Sequence, residues 1–254
     1  MQIKVAFAFL GEDEGLYSDH AGGIRLPLGA PTLTARDPWE QRGMDSYELS
    51  PFVRRPVQER SRIALARIVA GASEVLVREG HDSFSMADIA EAAGLPVGNI
   101  YRRFKGKDSI VQAISLDTFT RLEAIIRDRL QGHRFASASA VVTELAAAMA
   151  TMSEQNEGLF RVLLSYQITS ADLRGIVLAG RRRLVSIYKD ALSGFLQDLP
   201  EPRRNLVIGM SYQIVASAIV SKSRGDDPTL IELSWSDLAQ EAAKAANAYL
   251  NEAR

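Results

Sequence analysis

Downstream of residue 58 the apolar positions fall at helical spacing along nearly the whole chain, and no stretch alternates as a strand would. Leu65, Val69, Ala72 and Leu76 lie at i, i+4, i+7 and i+11, one stripe on a helix predicted over 58–79 and stopped by Gly80. Ser85 and Asp88 then supply an S-x-x-D capping pattern for a short second helix, whose inward face is Met86, Ile89, Ala90 and Ala93. Gly94 suits the left-handed turn that ends it. Pro96 suits the first position of a third helix and keeps Leu95 out of the helical region. On that third helix Val97, Ile100, Tyr101 and Phe104 repeat the spacing. Longer helices are predicted at 107–131, 136–153, 156–167, 170–198, 202–223 and 231–252, punctuated by Pro200, Pro202 and the segment 225–228. The pattern predicts an all-α fold, with an N-terminal three-helix unit followed by a larger helical body.

Residues 1–50 break the pattern. Gly11, Gly15, Gly22, Gly23, Gly29 and Gly43 alternate there with Pro27, Pro31 and Pro38, and no period persists beyond the first ten residues. Such a stretch reads as a poorly ordered extension. The expected divisions are therefore 1–53, an extension; 54–107, the three-helix unit; and 108–254, the body. Met44 stands just ahead of the first helical pattern and is a candidate native start, with the upstream residues the product of an overlong reading frame. The opening ten residues lack the form of a secretory signal, because Glu12, Asp13 and Glu14 follow at once without a cleavage pattern. The uncharged run 205–221 includes Tyr212, Gln213 and several serines. It reads as a buried helix that falls short of a bilayer span. A cytoplasmic protein without a membrane partner is expected.

Charge changes the picture once it is divided. The 254 residues carry a net charge of −1. Residues 1–53 hold 4 basic and 8 acidic side chains, residues 54–107 hold 10 and 6, and residues 108–254 hold 16 and 17. The positive field is thus confined to the three-helix unit, as expected where a protein meets phosphate. The chain has no cysteine, which excludes disulfides, thiolate metal sites and a cysteine nucleophile. His20, His81 and His133 share no ligand spacing, so neither a metal nor a cofactor is expected. The body shows no G-x-S-x-G, no phosphate-cradling glycine loop and no H-E-x-x-H, which argues against an enzyme. Glu123, Glu144, Glu154 and Asp172 read as solvated. Arg181, Arg182 and Arg183 are consecutive within one helix, so they point over most of its circumference and read as surface or salt-bridged groups.

Two short helices joined by a tight glycine turn form a helix-turn-helix, whose second helix enters the major groove of duplex DNA. On that helix Asn99 suits base edges, Pro96 and Val97 suit a thymine methyl, and Arg102 and Arg103 suit phosphate or guanine. Lys105 and Lys107 follow at the start of the next helix, where amides and side-chain charge favour phosphate. Arg54, Arg55, Arg60 and Arg62 would form an arm along the backbone or minor groove. Val97 and Tyr101 each have two uses, in the small core or on DNA. A capping Ser85 Oγ leaves the Ser85 backbone amide for phosphate.

The residues Ile89-Ala90, Ala93-Gly94, Gly98-Asn99-Ile100-Tyr101, Phe104 and Lys107-Asp108 make residues 63–110 resemble the TetR family of bacterial regulators. In that family the cap of helix two, polar residues of the recognition helix, the tyrosine and the lysine opening helix four contact DNA. The resemblance implies those roles for Ser85, Asn99, Tyr101 and Lys107. Two positions depart from the family, which often has serine at Pro96 and histidine at Arg103. The resemblance further implies a homodimer on a palindromic operator and a body pocket whose small-molecule effector releases the DNA. Leu238, Ala242, Ala245 and Tyr249, with the apolar helix over 205–221, would make the dimer's four-helix interface. Candidate pocket residues are Phe119, Met149, Met152, Phe160, Tyr166, Tyr188 and Phe195, residue types that serve equally as core. A repressor is the leading expectation. An activator, a regulator with a co-repressing ligand, and an all-α enzyme or carrier stand as alternatives.

Overall fold

Each helix predicted from the apolar period is present in the computed structural model, which describes residues 52–54, 58–79, 83–166, 171–225 and 227–253. The predictions for residues 1–50, Gly80 and Arg55 lie outside the described residues, as does the side chain of Tyr166. The order is α1 Glu59–Glu79, α2 Met86–Ala93, α3 Val97–Tyr101, α4 Lys107–Gln131, α5 Ala138–Gln155, α6 Glu157–Tyr166, α7 Ala171–Leu192, α8 Glu201–Arg224, α9 Pro228–Glu232 and α10 Trp235–Glu252. No strand occurs among the described residues. Helix ends follow local chemistry. Ser137 Oγ accepts from the Ala140 amide at 3.2 Å to start α5, and Ser234 Oγ accepts from the Asp237 amide at 3.0 Å to start α10. α7 stops six residues short of the predicted 198, giving way to a single 3-10 turn, Ser193–Phe195. The short α9 was hidden in the punctuation. Asp227 caps it by accepting from the Thr229 amide at 2.8 Å, and Pro228 fills its first position.

The helices enclose two apolar cores. The first joins α1, α2 and α3 to the start of α4, through Ile68, Leu76, Phe84, Ile89, Ile100, Phe104, Ile110 and Ile114. Leu163 of α6 and Leu173 and Ile176 of α7 complete it, so this core reaches well beyond residue 107. The second joins the rest of α4 to α5, α7, α8 and α10, through Leu122, Ile126, Leu145, Tyr188, Val215, Leu238 and Ala246. α4 is common to both, and at about 1.5 Å per residue its 25 residues run about 37 Å.

α8 is the central helix of the second core, packed on α5, α6, α7 and α10. With 24 residues and a mean hydropathy of 1.3 over its most apolar window, it does have the length and composition of a membrane span, contrary to the reading from its uncharged run. Its inner face is instead spent on the core, through Val207, Ile208, Tyr212, Val215 and Ile219. Near its end Lys222 is only 7% exposed. Its ammonium donates to the carbonyls of Leu230, Ile231 and Leu233 at 3.1, 2.8 and 2.7 Å and lies 5.1 Å above the Trp235 ring. These carbonyls close α9, where helical acceptors run out of backbone partners.

The stripe expected at the dimer interface is divided. Leu238 and Ala242 are buried within the chain, because small side chains on α10 let it lie close against α5 and α8. Ala245 is exposed and Tyr249 half-buried. The outward apolar residues on α8 are Leu206 and Met210, one turn apart.

Candidate nucleic-acid interface and body cavity

The reading head is assembled from its caps. Ser85 has extended backbone, and its Oγ accepts from the Asp88 amide at 3.2 Å. The Ser85 amide donates in return to Asp88 Oδ2 at 2.6 Å. This full capping box corrects the expectation that the Ser85 amide stays available to phosphate, because the carboxylate takes it. The hydroxyl proton of Ser85 is what remains for an outside acceptor. The hydrogen bonds from Ser85 hold the Asp88 carboxyl below its ordinary value, with help from the charges of Arg78 and Lys107. At the other end of α2, Gly94 adopts φ 60° and ψ 41°, and its amide donates to the carbonyls of Ala90 and Glu91. Arg67 of α1 donates to the Gly94 carbonyl at 3.0 Å, tying the turn to the first helix.

α3 is too short to bury a wide face. Ile100 and Phe104, one turn apart, are fully buried, whereas Val97 and Tyr101, also one turn apart, are 44% and 53% exposed. The four-residue stripe is therefore two ridges side by side, and only one of them is core. Pro96, Gly98, Arg102 and Lys105 share the exposed surface, and Asn99 is half-buried. Arg103 is engaged differently. Its Nη1 donates to the Arg54 carbonyl at 3.0 Å, and the Arg54 amide donates to the Arg103 carbonyl at 3.0 Å. This reciprocal pair fastens the strip before α1 to the end of α3, and Val53 is buried in the first core beside it. Burial and the neighbouring Arg102 lower the Arg103 pKa, although a guanidinium stays charged at any physiological pH.

Lys107 sits half-buried at the start of α4 with its ammonium 4.8 Å above the Phe84 ring, which brings it next to the Ser85 cap. The expected arm is only partly extended. Arg60 bonds Gln58 at 2.8 Å and Arg62 pairs with Glu59 at 3.6 Å, both within the first turn of α1. Sequence reasoning missed the anchoring role of Val53. The apolar pair Phe52-Val53 just ahead of Arg54 was the available signal.

The body holds a cavity of about 480 Å³ between α4, α5, α6, α7 and α8. Three of the residues named from the sequence line it, Phe119, Met149 and Phe160. Met152 and Tyr188 do not, being buried in the second core, where the Tyr188 hydroxyl meets Ser211 Oγ at 3.1 Å. Burial pushes the Tyr188 hydroxyl up to about 12. Phe195, on the 3-10 turn, packs against the same core. Arg174, Arg181 and Tyr212 also line the cavity, unforeseen, because no single-helix period reveals which faces meet across a gap. The consecutive arginines go to separate places. Arg181 donates to Gln213, Arg183 pairs with Glu123 at 2.6 Å, and Arg182 is exposed. Gly180 brings α7 close to α4, since a Cβ there would lie 3.0 Å from the Phe119 ring. Among the described residues no cluster of three His, Asp or Glu is placed to hold a metal ion.

No protein of curated function matches the chain in sequence. Its fold is shared by a structure described as a TetR-family transcriptional regulator from Mesorhizobium loti MAFF303099, with 16% identity, a TM-score of 0.63, and coverage of 77% of this chain and 98% of that one. It is shared too by the transcriptional regulator FadR from Bacillus subtilis in complex with stearoyl-CoA, at 16% identity and a TM-score of 0.60, covering 72% and 97%. A TetR-family transcriptional regulator from Streptomyces coelicolor matches at 18% identity and 0.59, covering 75% and 81%. Residues 68–114, from mid-α1 into α4, match the family model for bacterial regulatory proteins of the tetR family. That match falls on the helix-turn-helix, and the fold around it is shared with these regulators, so the chain has a TetR-type architecture.

Proposed function

We propose that the protein is a cytoplasmic, homodimeric repressor of a palindromic operator, released when a small, mainly apolar molecule fills the body cavity. The observation that carries this reading is the division around α3: Ile100, with Phe104 just beyond the helix, serves the core, and Val97 and Tyr101, with Arg102 at the helix end, are left outside. An exposed valine and tyrosine beside a cationic rim suit a groove with methyl groups inside and phosphates along its edges. Residues 54–107 act as the DNA-binding unit. Asn99 reads a base edge, Pro96 and Val97 meet a thymine methyl, and Ser85, Tyr101, Arg102, Lys105 and Lys107 meet phosphate. Arg103 works chiefly through Arg54, directing the strip before α1 along the backbone.

Residues 108–254 bind the effector and dimerise. Leu206 and Met210 on α8, with Ala245 and Tyr249 on α10, supply the outward apolar surface for a second copy. Coupling runs through α4, which carries Ile110 and Ile114 in the first core and Phe119 and Leu122 on the cavity wall. A ligand that favours one setting of α4 shifts the population of head spacings, and a coupling of about 1–3 kcal/mol suffices for a 5- to 150-fold loss of affinity. The Bacillus subtilis neighbour in complex with stearoyl-CoA supports a ligand-binding use of this fold.

The test is selection of genomic fragments with the purified full chain, followed by mobility shifts. A shared palindrome is expected, with affinity falling steeply as salt rises. Asn99→Ala should relax preference at one position of each half-site, whereas Lys107→Ala should weaken all sequences about equally. Fragments without a common palindrome, or an Asn99→Ala protein with unchanged selectivity, would overturn the assignment.

A further inference from the structure

We infer that the body cavity selects an apolar anion, a molecule with an apolar body and one carboxylate or phosphate, and that Arg174 and Arg181 read its charge. The inference rests on the cavity being the effector site and adds the ligand's chemical class. The cavity is amphiphilic. Its buried floor is Leu122, Met149, Phe160, Leu164, Leu184 and Ile219, and its exposed rim includes Arg174 and Arg181. Arg224 also lines it, and no described lining residue is an aspartate or glutamate.

The partner of Arg181 is neutral. Its guanidinium donates to Gln213 Oε1, and the Gln213 amide donates onward to Ser217 Oγ. The side chain is positioned without its charge being cancelled. Arg183, two residues along, shows the alternative, with its charge met by Glu123 at 2.6 Å. Arg174 and Arg181 stand seven residues apart on α7, on one face, about 10 Å from each other at about 1.5 Å per residue. A headgroup can therefore engage one of them closely while the other adds longer-range attraction. A planar guanidinium at the edge of an apolar cavity pairs with carboxylate or phosphate through two parallel hydrogen bonds. The same rim repels a cation, and a neutral head gains nothing from its charge.

Four probes with one tail and different heads test this on the full chain by titration calorimetry: dodecanoate, dodecyl phosphate, 1-dodecanol and dodecylamine. At least one anion should bind tenfold or more tightly than 1-dodecanol, with dodecylamine the weakest. The tighter anion distinguishes carboxylate from phosphate. In Arg181→Gln and Arg174→Gln together the advantage over 1-dodecanol should fall to threefold or less, while 1-dodecanol binds as before. Both substitutions are at the exposed rim, and unchanged thermal unfolding checks that the fold is intact. Equal binding of 1-dodecanol and the anions, an anion advantage that survives the double substitution, or no binding by any probe would each overturn the inference. Charge-selective binding that leaves the selected operator fragment bound would uphold it and refute the release mechanism.

Discussion

Lys222→Met isolates the most heavily bonded buried cation among the described residues. The methionine keeps the unbranched stem within the second core and removes three donors from the carbonyls of Leu230, Ile231 and Leu233. A hydrogen bond to a charged group contributes about 1.5–3 kcal/mol when one partner is deleted. Three bonds to one ammonium do not add fully, and the lost contact with the Trp235 ring removes about 0.5–2 kcal/mol more. Two effects oppose the loss. Methionine avoids the desolvation of a buried ammonium. Ile231 is 49% exposed, so water reaches part of the orphaned end of α9. The net destabilisation comes to about 3 kcal/mol, or roughly 6–12 °C in Tm for a protein of this size. Thermal and urea unfolding of the full chain measure it. Lys244→Met is the control, because Lys244 pairs with Glu241 at 2.6 Å but is 68% exposed, and its loss should cost under about 1 kcal/mol. A Lys222→Met protein that unfolds within about 2 °C of the parent would refute the view that this ammonium holds α8, α9 and α10 together.

Gly94→Ala should destabilise the chain by about 1–2 kcal/mol, since φ 60° is unfavourable for a residue with a Cβ and that atom would lie 2.6 Å from Arg67 Nη2; an unchanged urea midpoint would refute it. Asp88→Asn tests the capping box through pH. Because the Asp88 pKa is depressed below 3.8 in the folded chain, its contribution is complete above that value and is lost as pH falls through the lower folded one. The stability gap between parent and variant should therefore stay constant from neutral pH to about 4 and close in stronger acid, as followed by thermal unfolding across that range. Ser115→Ala should stabilise by about 1 kcal/mol, since Ser115 is 1% exposed and its Oγ has no hydrogen-bond partner; a lower Tm would refute that.

The helix-turn-helix was legible because its signals are local. A cap, a glycine in the left-handed region and a proline at a helix start each act within four residues; the first two are found where the sequence put them, and Pro96 stands one residue earlier, at the cap of α3 rather than in its first position. What failed depended on distant chain. The single apolar spacing of Val97, Ile100, Tyr101 and Phe104 does not say how wide a face α1 and α2 can cover, and they cover only half of it. The stripe on α10 was visible, but the identity of its neighbour was not, and α5 and α8 take most of it within one chain. The cavity was the least legible feature. Tyr188 and Phe119 look alike in sequence, yet Tyr188 is buried with a hydroxyl partner, and Phe119 lines the cavity while packing close against Gly180.

Under the proposed release mechanism, the middle of α4 would link a filled cavity to the head in the other core. Between Ile114 in the first core and Leu122 in the second, Ser115, Asp117 and Thr118 are buried despite being polar. Asp117 and Thr118 are enclosed for a local reason. Thr118 Oγ1 donates to the Ile114 carbonyl at 2.8 Å, and the Asp117 carboxylate meets Arg121 at 2.6 Å, one turn on. Burial of polar groups on several sides means that this stretch has neighbours around much of its circumference, and a close-packed interior transmits displacement rather than absorbing it. Phe119 lies at the edge of this enclosed stretch, packed against the first core and facing the cavity. A ligand pressing on that ring meets Gly180 on the opposite helix, where even a methyl group would crowd it. The ring therefore has little room to yield alone, so under that mechanism the movement would carry α4, and with α4 the helices of the reading head.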